Sequence, residues 1–312
     1  MTAALLLAVA IALPHALRLE RAAPPIAIVI WASVLSLRAL IGVLAALWLV
    51  FFFPATDVFA AITRWCLHDV LPGHINGHDV GHAATLVPSL AIAGSLAAVF
   101  AGTWRLGRRL QRVASDALGC GPAGSRIIGG RDVLMAAVGV RRPQVLVSAG
   151  ALVALDDDEL AAGLAHERGH IARRHRYVLV YAELCRALGR VLPGTRRAAA
   201  ELAFHLERDA DRWALAHGVD RRALASALHK ATGAHLRGRG LVVALGGHAL
   251  EERVGELLDQ APSHPTLRSS VCRGLAAGLA ALAFVVALAL PPVVLAGVDT
   301  VRDAPASQHC EH

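Results

Sequence analysis

The sequence predicts a mainly α, integral membrane protein: four transmembrane helices carrying a cytoplasmic α+β domain with a small sheet. Three observations predict it. Hydrophobic residues make up 55% of the 312-residue chain and the mean hydropathy is +0.52, both high for a soluble protein. The apolar content is mostly Ala, Leu and Val, with only 4% aromatics, which favours helix over sheet. The apolar residues gather into long stretches bordered by arginine clusters.

The stretches run over residues 2–17, 25–53, 85–104 and 273–298. A spanning helix needs about 20 apolar residues, so the last three qualify and the first, broken by Pro14 and His15, is marginal. Arg18 and Arg21 follow the first stretch instead of preceding it, which is the wrong order for a cleaved signal peptide and predicts a retained span. Arg105, Arg108, Arg109 and Arg112 follow the third stretch, and Arg268 and Arg273 border the fourth. Arginine excess marks the cytoplasmic side. The expected topology therefore has both termini external, a loop at 54–83 and a short tail at 299–312 outside, and residues 107–272 in the cytoplasm of a bacterial cell membrane. Arg38 lies in the middle of the second stretch and should face protein or water, not lipid.

The net charge of +7 is almost wholly arginine, since Lys230 is the one lysine. This reads as the codon usage of a G+C-rich bacterial genome. Nucleic-acid binding is not expected, because interleaved aromatics and a recognisable binding motif are missing. Cys66, Cys120, Cys185, Cys272 and Cys310 form no CxxC pair, which argues against a zinc ribbon or a disulfide framework.

The segment 107–272 opens with a basic amphipathic helix. "SRIIGGRDVLMAAVGVRRPQVLVSAG" then suggests two or three short strands, with Gly129, Gly130 and Pro143 as punctuation. A helix is expected from about Asp157 to Ala187, with Asp156 to Asp158 as N-cap candidates and Glu159 placed for a capping box. A second runs from about Arg196 to His217 and is stopped by Gly218, and "DRRALASALHKATGAHL" suggests a third.

The chemistry sits in "AGLAHERGHIARRH". His166 and His170 are four apart, hence on one helix face, one turn above the other. Zinc favours nitrogen ligands in a tetrahedral site, and two such imidazoles supply half of one. Glu167 is rotated by about 100° from His166, beside such a metal, where it can take a proton from water. Apolar neighbours predict a largely buried helix, and burying His, Glu and His together is costly unless they are paired or metal-bound. "HLERDADRWA" offers the third ligand: Glu207 and Asp211 share a face, so Glu207 can bind the metal while Asp211 holds a ligand histidine by its other nitrogen. His175 lies about 180° around a continuous helix from His166 and is excluded from the same metal.

Residues 131–214 resemble the membrane-embedded zinc peptidases of the M56 and M48 families, M56 including the beta-lactam sensor proteases. The matching text is "RRPQVLVSAGALVALDDDELAAGLAHERGH" followed by "ERDADRWA". The resemblance implies a zincin-like domain with one Zn2+ held by His166, His170 and Glu207, and Glu167 as catalytic base. "SHPTLR" at 263–268 loosely resembles a His-Pro segment late in M48 chains, while one span after the protease leans toward M56. The chain ends soon after that span, without the large external penicillin-binding domain of the sensors, so the resemblance implies the protease and not that signal.

The implied activity is zinc-dependent hydrolysis of peptide bonds in a protein substrate at the cytoplasmic face. A regulatory protease cutting a cytoplasmic repressor and a quality-control protease for membrane proteins both fit. A non-enzymatic metal sensor using His74, His78 and His82 is a third reading, against which Glu167 counts, since a binding site needs no base. Cys66 and Cys310 are both external in this topology and could pair. The strand at Gln144–Ser148 is the expected place for substrate to add as a β-strand, and His264 and Tyr177 are candidates to stabilise the oxyanion.

Overall fold

The computed structural model describes residues 10–17, 19, 22–53, 86–139, 142–235, 246–258 and 267–302. Its organising element is α1 (Pro24–Phe51), which starts on two prolines where a helix has no N–H to lose. The first two-thirds of α1 is enclosed by α5 (His175–Leu188), α6 (Thr195–Ala216) and α9 (Leu267–Leu288). Ile30, Trp31, Val34 and Leu35 of α1 share one buried cluster with Ala182, Ala198, Leu202, Leu206, Ala276 and Leu279. A second long helix, α2 (Val87–Ser115), packs beside α5.

Three helices among the described residues are long and apolar enough to cross a membrane: Pro24–Phe51, Leu90–Arg109 and Ser270–Ala296. Of the first predicted span, residues 10–16 are helical and 2–9 lie outside the described residues. The predicted external loop at 54–83, with His74, His78, His82 and Cys66, lies outside them as well, as do His264 and Cys310.

After α2 comes a four-stranded sheet of β1 (Gly119–Cys120), β2 (Arg126–Ile128), β3 (Met135–Val138) and β4 (Gln144–Ser148), in the order β1-β2-β4-β3. β4 runs parallel to β2 and antiparallel to β3. Both edges of β4 are therefore taken. This corrects the expectation that Gln144–Ser148 receives an added strand: it is central in the sheet, buried from Val145 to Ser148, and the edges belong to β1 and β3. Ser148 ends β4 and caps α3 (Ala149–Ala154). Its hydroxyl accepts from Ala151 N–H at 3.0 Å and donates to the Asp132 carbonyl at 2.6 Å.

The helix expected over 157–187 is two helices. α4 (Asp157–Ala172) ends at Arg173, Arg174 adopts φ 59°, and α5 starts at His175. The reason is packing: α5 leaves the axis of α4 to run along α1. α4 starts on a capping box in which Glu159 N–H donates to Asp156 at 2.8 Å and Asp156 N–H donates to Glu159 at 3.0 Å. α7 (Arg221–His235) and α8 (Gly246–Leu258) close over α4 and α6 through Ala162, Ala214, Leu224 and Leu257. The described chain ends in α10 (Leu290–Arg302).

Glu159 also ties α4 to α7. Lys230 Nζ and Ser226 Oγ each donate to its carboxylate at 2.5 Å. The Lys230 bond, then the Ser226 bond, holds the carboxyl down at about 2, against 4.5 for a free glutamate. A carboxyl with a depressed folded pKa contributes stability above its unfolded pKa, and loses it as pH falls through the folded one. The thermal midpoint of the wild type should therefore exceed that of Lys230→Met at pH 7, and the gap should close between pH 4.5 and about 2. A gap that stays constant over that window, read by circular dichroism, would remove Glu159 from this role.

Candidate metal centre

α4 presents His166 and His170 one turn apart, and α6 crosses it carrying Glu207. The crossing is close because residue 169 is glycine: a Cβ there would lie 3.1 Å from the Ala210 carbonyl oxygen and 3.2 Å from its Cα. The three side chains converge. His166 Nε2 lies 3.1 Å from His170 Nε2 and 3.4 Å from Glu207 Oε2, and His170 Nε2 lies 3.5 Å from Glu207 Oε1. A tetrahedral ion with bonds of 2.0–2.1 Å separates its ligands by about 3.3–3.4 Å. The spacing of this set fits such an ion, and two nitrogens with one carboxylate leave a fourth position free. Among the described residues these three are a group able to hold a metal.

Glu167 sits on the same helix, turned toward the sheet, and its Oε2 accepts from Ala137 N–H at 2.6 Å. Ala137 belongs to β3, so this edge of the sheet runs past the three converging side chains. Burial pushes the Glu167 carboxyl above its ordinary value, with His166 and His170 pulling the other way. Asp211 Oδ1 lies 2.8 Å from His166 Nδ1 and pairs with it. Burial works against a charged His166 ring, but Asp211 and then Glu207 outweigh it and raise its pKa to about 10. A metal loaded at neutral pH must therefore displace a proton from His166.

Two features escaped the sequence. The first is Arg253 on α8. Its Nε and Nη2 donate to Asp211 at 2.8 and 2.9 Å, and its Nη1 lies 3.0 Å from Glu207 Oε2. Burial would raise the Glu207 carboxyl, but Arg253 and the two histidines hold it well below the usual range. The available signal was positional: Arg253 and Leu257 are one turn apart on a helix face whose Leu257 is core. The second is His175. The turn at Arg174 breaks the helix and brings His175 Nδ1 to 3.0 Å from His170 Nδ1, while its Nε2 lies 3.2 Å from Asp209 Oδ2. His175 was set aside on the geometry of a continuous helix, and that continuity does not hold. Each of the two histidines thus has a carboxylate behind it, Asp211 directly and Asp209 through His175. Tyr177 stands exposed at the start of α5, stacked under Arg176.

A cavity of about 710 Å3 is bounded by Ala172, Arg173, Asp209 and Trp213 among others. It touches Asp209 but none of His166, Glu167, His170 and Glu207, so it lies behind the centre and not over it.

With known proteins, residues 101–201 match peptidase family M48. The match supports a metallopeptidase. It spans β1 to β4 and both histidines of α4, and stops short of Glu207. No match is found among curated proteins or among solved structures.

The contact from His170 to Asp209 makes a measurable demand. His175→Ala and Asp209→Asn should each weaken metal binding by about 10–100-fold, the usual cost of losing the group that orients a ligand histidine. Asp211→Asn should do the same through His166. Competition against a chromophoric chelator reads all three, and wild-type affinity in His175→Ala would reduce the His170–His175 contact to packing.

Proposed function

We propose that the chain is a membrane-embedded, zinc-dependent endopeptidase that hydrolyses peptide bonds of protein substrates at the cytoplasmic face. The observation that carries this reading is the convergence of His166, His170 and Glu207 at tetrahedral spacing, with Glu167 half-buried one residue along and the β3 edge beside it. The residue match to peptidase family M48 supports it independently. His166, His170 and Glu207 hold the metal, Asp211 orients His166, and Glu167 is the catalytic base.

A zinc ion in this site supplies Lewis acidity at the scissile carbonyl. The chain's own residues do the rest. Substrate aligns along the free edge of β3, where backbone hydrogen bonds hold an extended peptide in register. Glu167 takes a proton from the attacking water as the new C–O bond forms, then delivers it to the leaving amine as the C–N bond breaks. Its carboxyl, pushed up by burial, is suited to both steps, because a base must also return the proton.

Arg105 to Arg112 at the end of α2 and Arg268 and Arg273 at the start of α9 support a cytoplasmic side for the domain between them. A cytoplasmic repressor is the substrate this placement favours, with membrane-protein quality control as the second reading. Helices of sufficient length and apolarity supply the bilayer contact.

Glu167→Gln should retain zinc and lose about 10²–10⁴-fold in turnover, the usual share of general acid–base catalysis. His166→Ala, His170→Ala and Glu207→Ala should lose metal and activity together. Elemental analysis beside cleavage of a quenched peptide checks both, and normal zinc content in Glu207→Ala would reassign the third ligand. Reporter fusions at Arg112 and Gly240 should read as cytoplasmic and one at Gly73 as external; an external reading at Gly240 would overturn the orientation.

A further inference from the structure

α5 starts beside the metal centre, yet its other end is tied to the middle of two apolar helices. Tyr181 Oη lies 2.6 Å from Ser36 Oγ of α1. Gly42 of α1 is in such close contact with the Leu188 carbonyl that a Cβ there would collide with it. The Arg38 guanidinium donates to the Pro193 carbonyl in the turn from α5 to α6, and its other nitrogen lies 3.1 Å from His15 Nε2. Arg190 donates to Ser95 Oγ of α2 at 2.6 Å. At 1.5 Å per residue, Arg38 lies about 21 Å along α1 from Pro24, deep within a helix long enough for an apolar layer of about 30 Å.

The outward face of α5 agrees with that depth. Tyr177, Leu179, Val180, Tyr181 and Leu184 are exposed, and the charged residues between 177 and 189 are Glu183 and Arg186. Glu183 and Arg186 are half-buried and paired with each other at 2.6 Å. A contiguous apolar face of this kind marks an interaction surface. α2, packed beside α5, and α9, packed on α1, carry exposed apolar faces as well, with Phe100 and Phe284. The opposite side of the hairpin is polar: Arg197 and Glu201 line a cavity of about 250 Å3 with His15 and Trp31. Irregular backbone is tolerated at membrane depth where it is buried in protein or lines such a cavity.

We propose that α5 and its turn into α6 form a re-entrant hairpin, with the outward face of α5 lying in the acyl layer of the bilayer beside α1 and α2. This rests on the reading that α1, α2 and α9 span a membrane. Because His175 at the mouth of the hairpin touches His170, the metal centre then sits at the membrane surface, and the site meets polypeptide held there.

The test uses the full chain in lipid nanodiscs, with benzoylphenylalanine placed singly at Val180, Leu184, Phe284 and Val153. Phe284 reports the span itself, and Val153, on α3, is 88% exposed and away from the hairpin. Lipid adducts by mass spectrometry are expected at 180, 184 and 284 and not at 153. Adducts at 284 without adducts at 180 and 184 overturn the hairpin and leave the spans standing. No adduct at 284 overturns the spans, and the hairpin with them. The unaltered chain gives a second measurement: Tyr181, 42% exposed to a water-sized probe, should resist hydroxyl-radical oxidation in nanodiscs. Ready oxidation overturns the proposal.

Discussion

The close crossing of α4 and α6 is the contact on which the centre depends. Glutamate has a short side chain, and Glu207 reaches the two imidazoles only because Ala210, almost one turn further on, lies directly against Gly169. Any Cβ at 169 must move a helix backbone, not a flexible side-chain tip. A shift of a few tenths of an ångström would lengthen the Glu207 distances while leaving the His166–His170 distance unchanged, since both histidines ride on α4. The spacing of the three side chains is thus a property of two helices at contact distance, and the glycine inside the histidine motif sets that distance.

Electrostatics then decides which side of α6 does what. Asp209 and Asp211 are about 200° apart around the helix, so they look to opposite sides. Asp211 shares the side of Glu207 and meets His166, while Asp209 turns to His175 on α5. α6 therefore backs both His166 and His170 at once, because it packs against α4 and α5. Carboxylates this close repel one another unless cations intervene, and Arg253 bridges half-exposed Glu207 and buried Asp211 while Arg173 lies 3.3 Å from Asp209. A buried pair deprived of one partner leaves an uncompensated charge costing about 3–5 kcal/mol. Packing α8 over the site is accordingly an electrostatic requirement as well as an apolar one, and Arg208, paired with Glu256, ties the same two helices a second time.

What was legible in the sequence is what helical periodicity carries. The i,i+4 spacing of His166 and His170, and of Glu207 and Asp211, places pairs on faces whatever the tertiary structure. The capping box at Asp156 and Glu159 is local for the same reason, and so are the apolar lengths of α1, α2 and α9. Strand order is not local: "QVLVS" reads equally as an edge or a centre, and only the pairing of β2 with β4 decides. Arg253 lies 46 residues beyond Glu207 in the chain, and nothing in its own segment names its partner. The break at Arg174 was hidden because Arg173 and Arg174 carry no glycine or proline signal; the periodic pattern continues through them.

That break links the centre to the rest of the fold. A non-glycine residue in the left-handed region costs about 1–2 kcal/mol, and such a conformation persists only where its surroundings over-determine it. Here they do, from both sides. Upstream, Gly169 and His170 are held against α6. Downstream, Tyr181, Leu188 and the turn at Pro193 are held against Ser36, Gly42 and Arg38 of α1. Extending α4 straight through Arg174 would relieve the strained residue, but it would carry His175 around to the far side of the helix and pull α5 away from α1. One residue in an unfavourable conformation thus keeps His175 behind His170 and keeps Arg38, the charge in the middle of an apolar helix, answered by the Pro193 carbonyl.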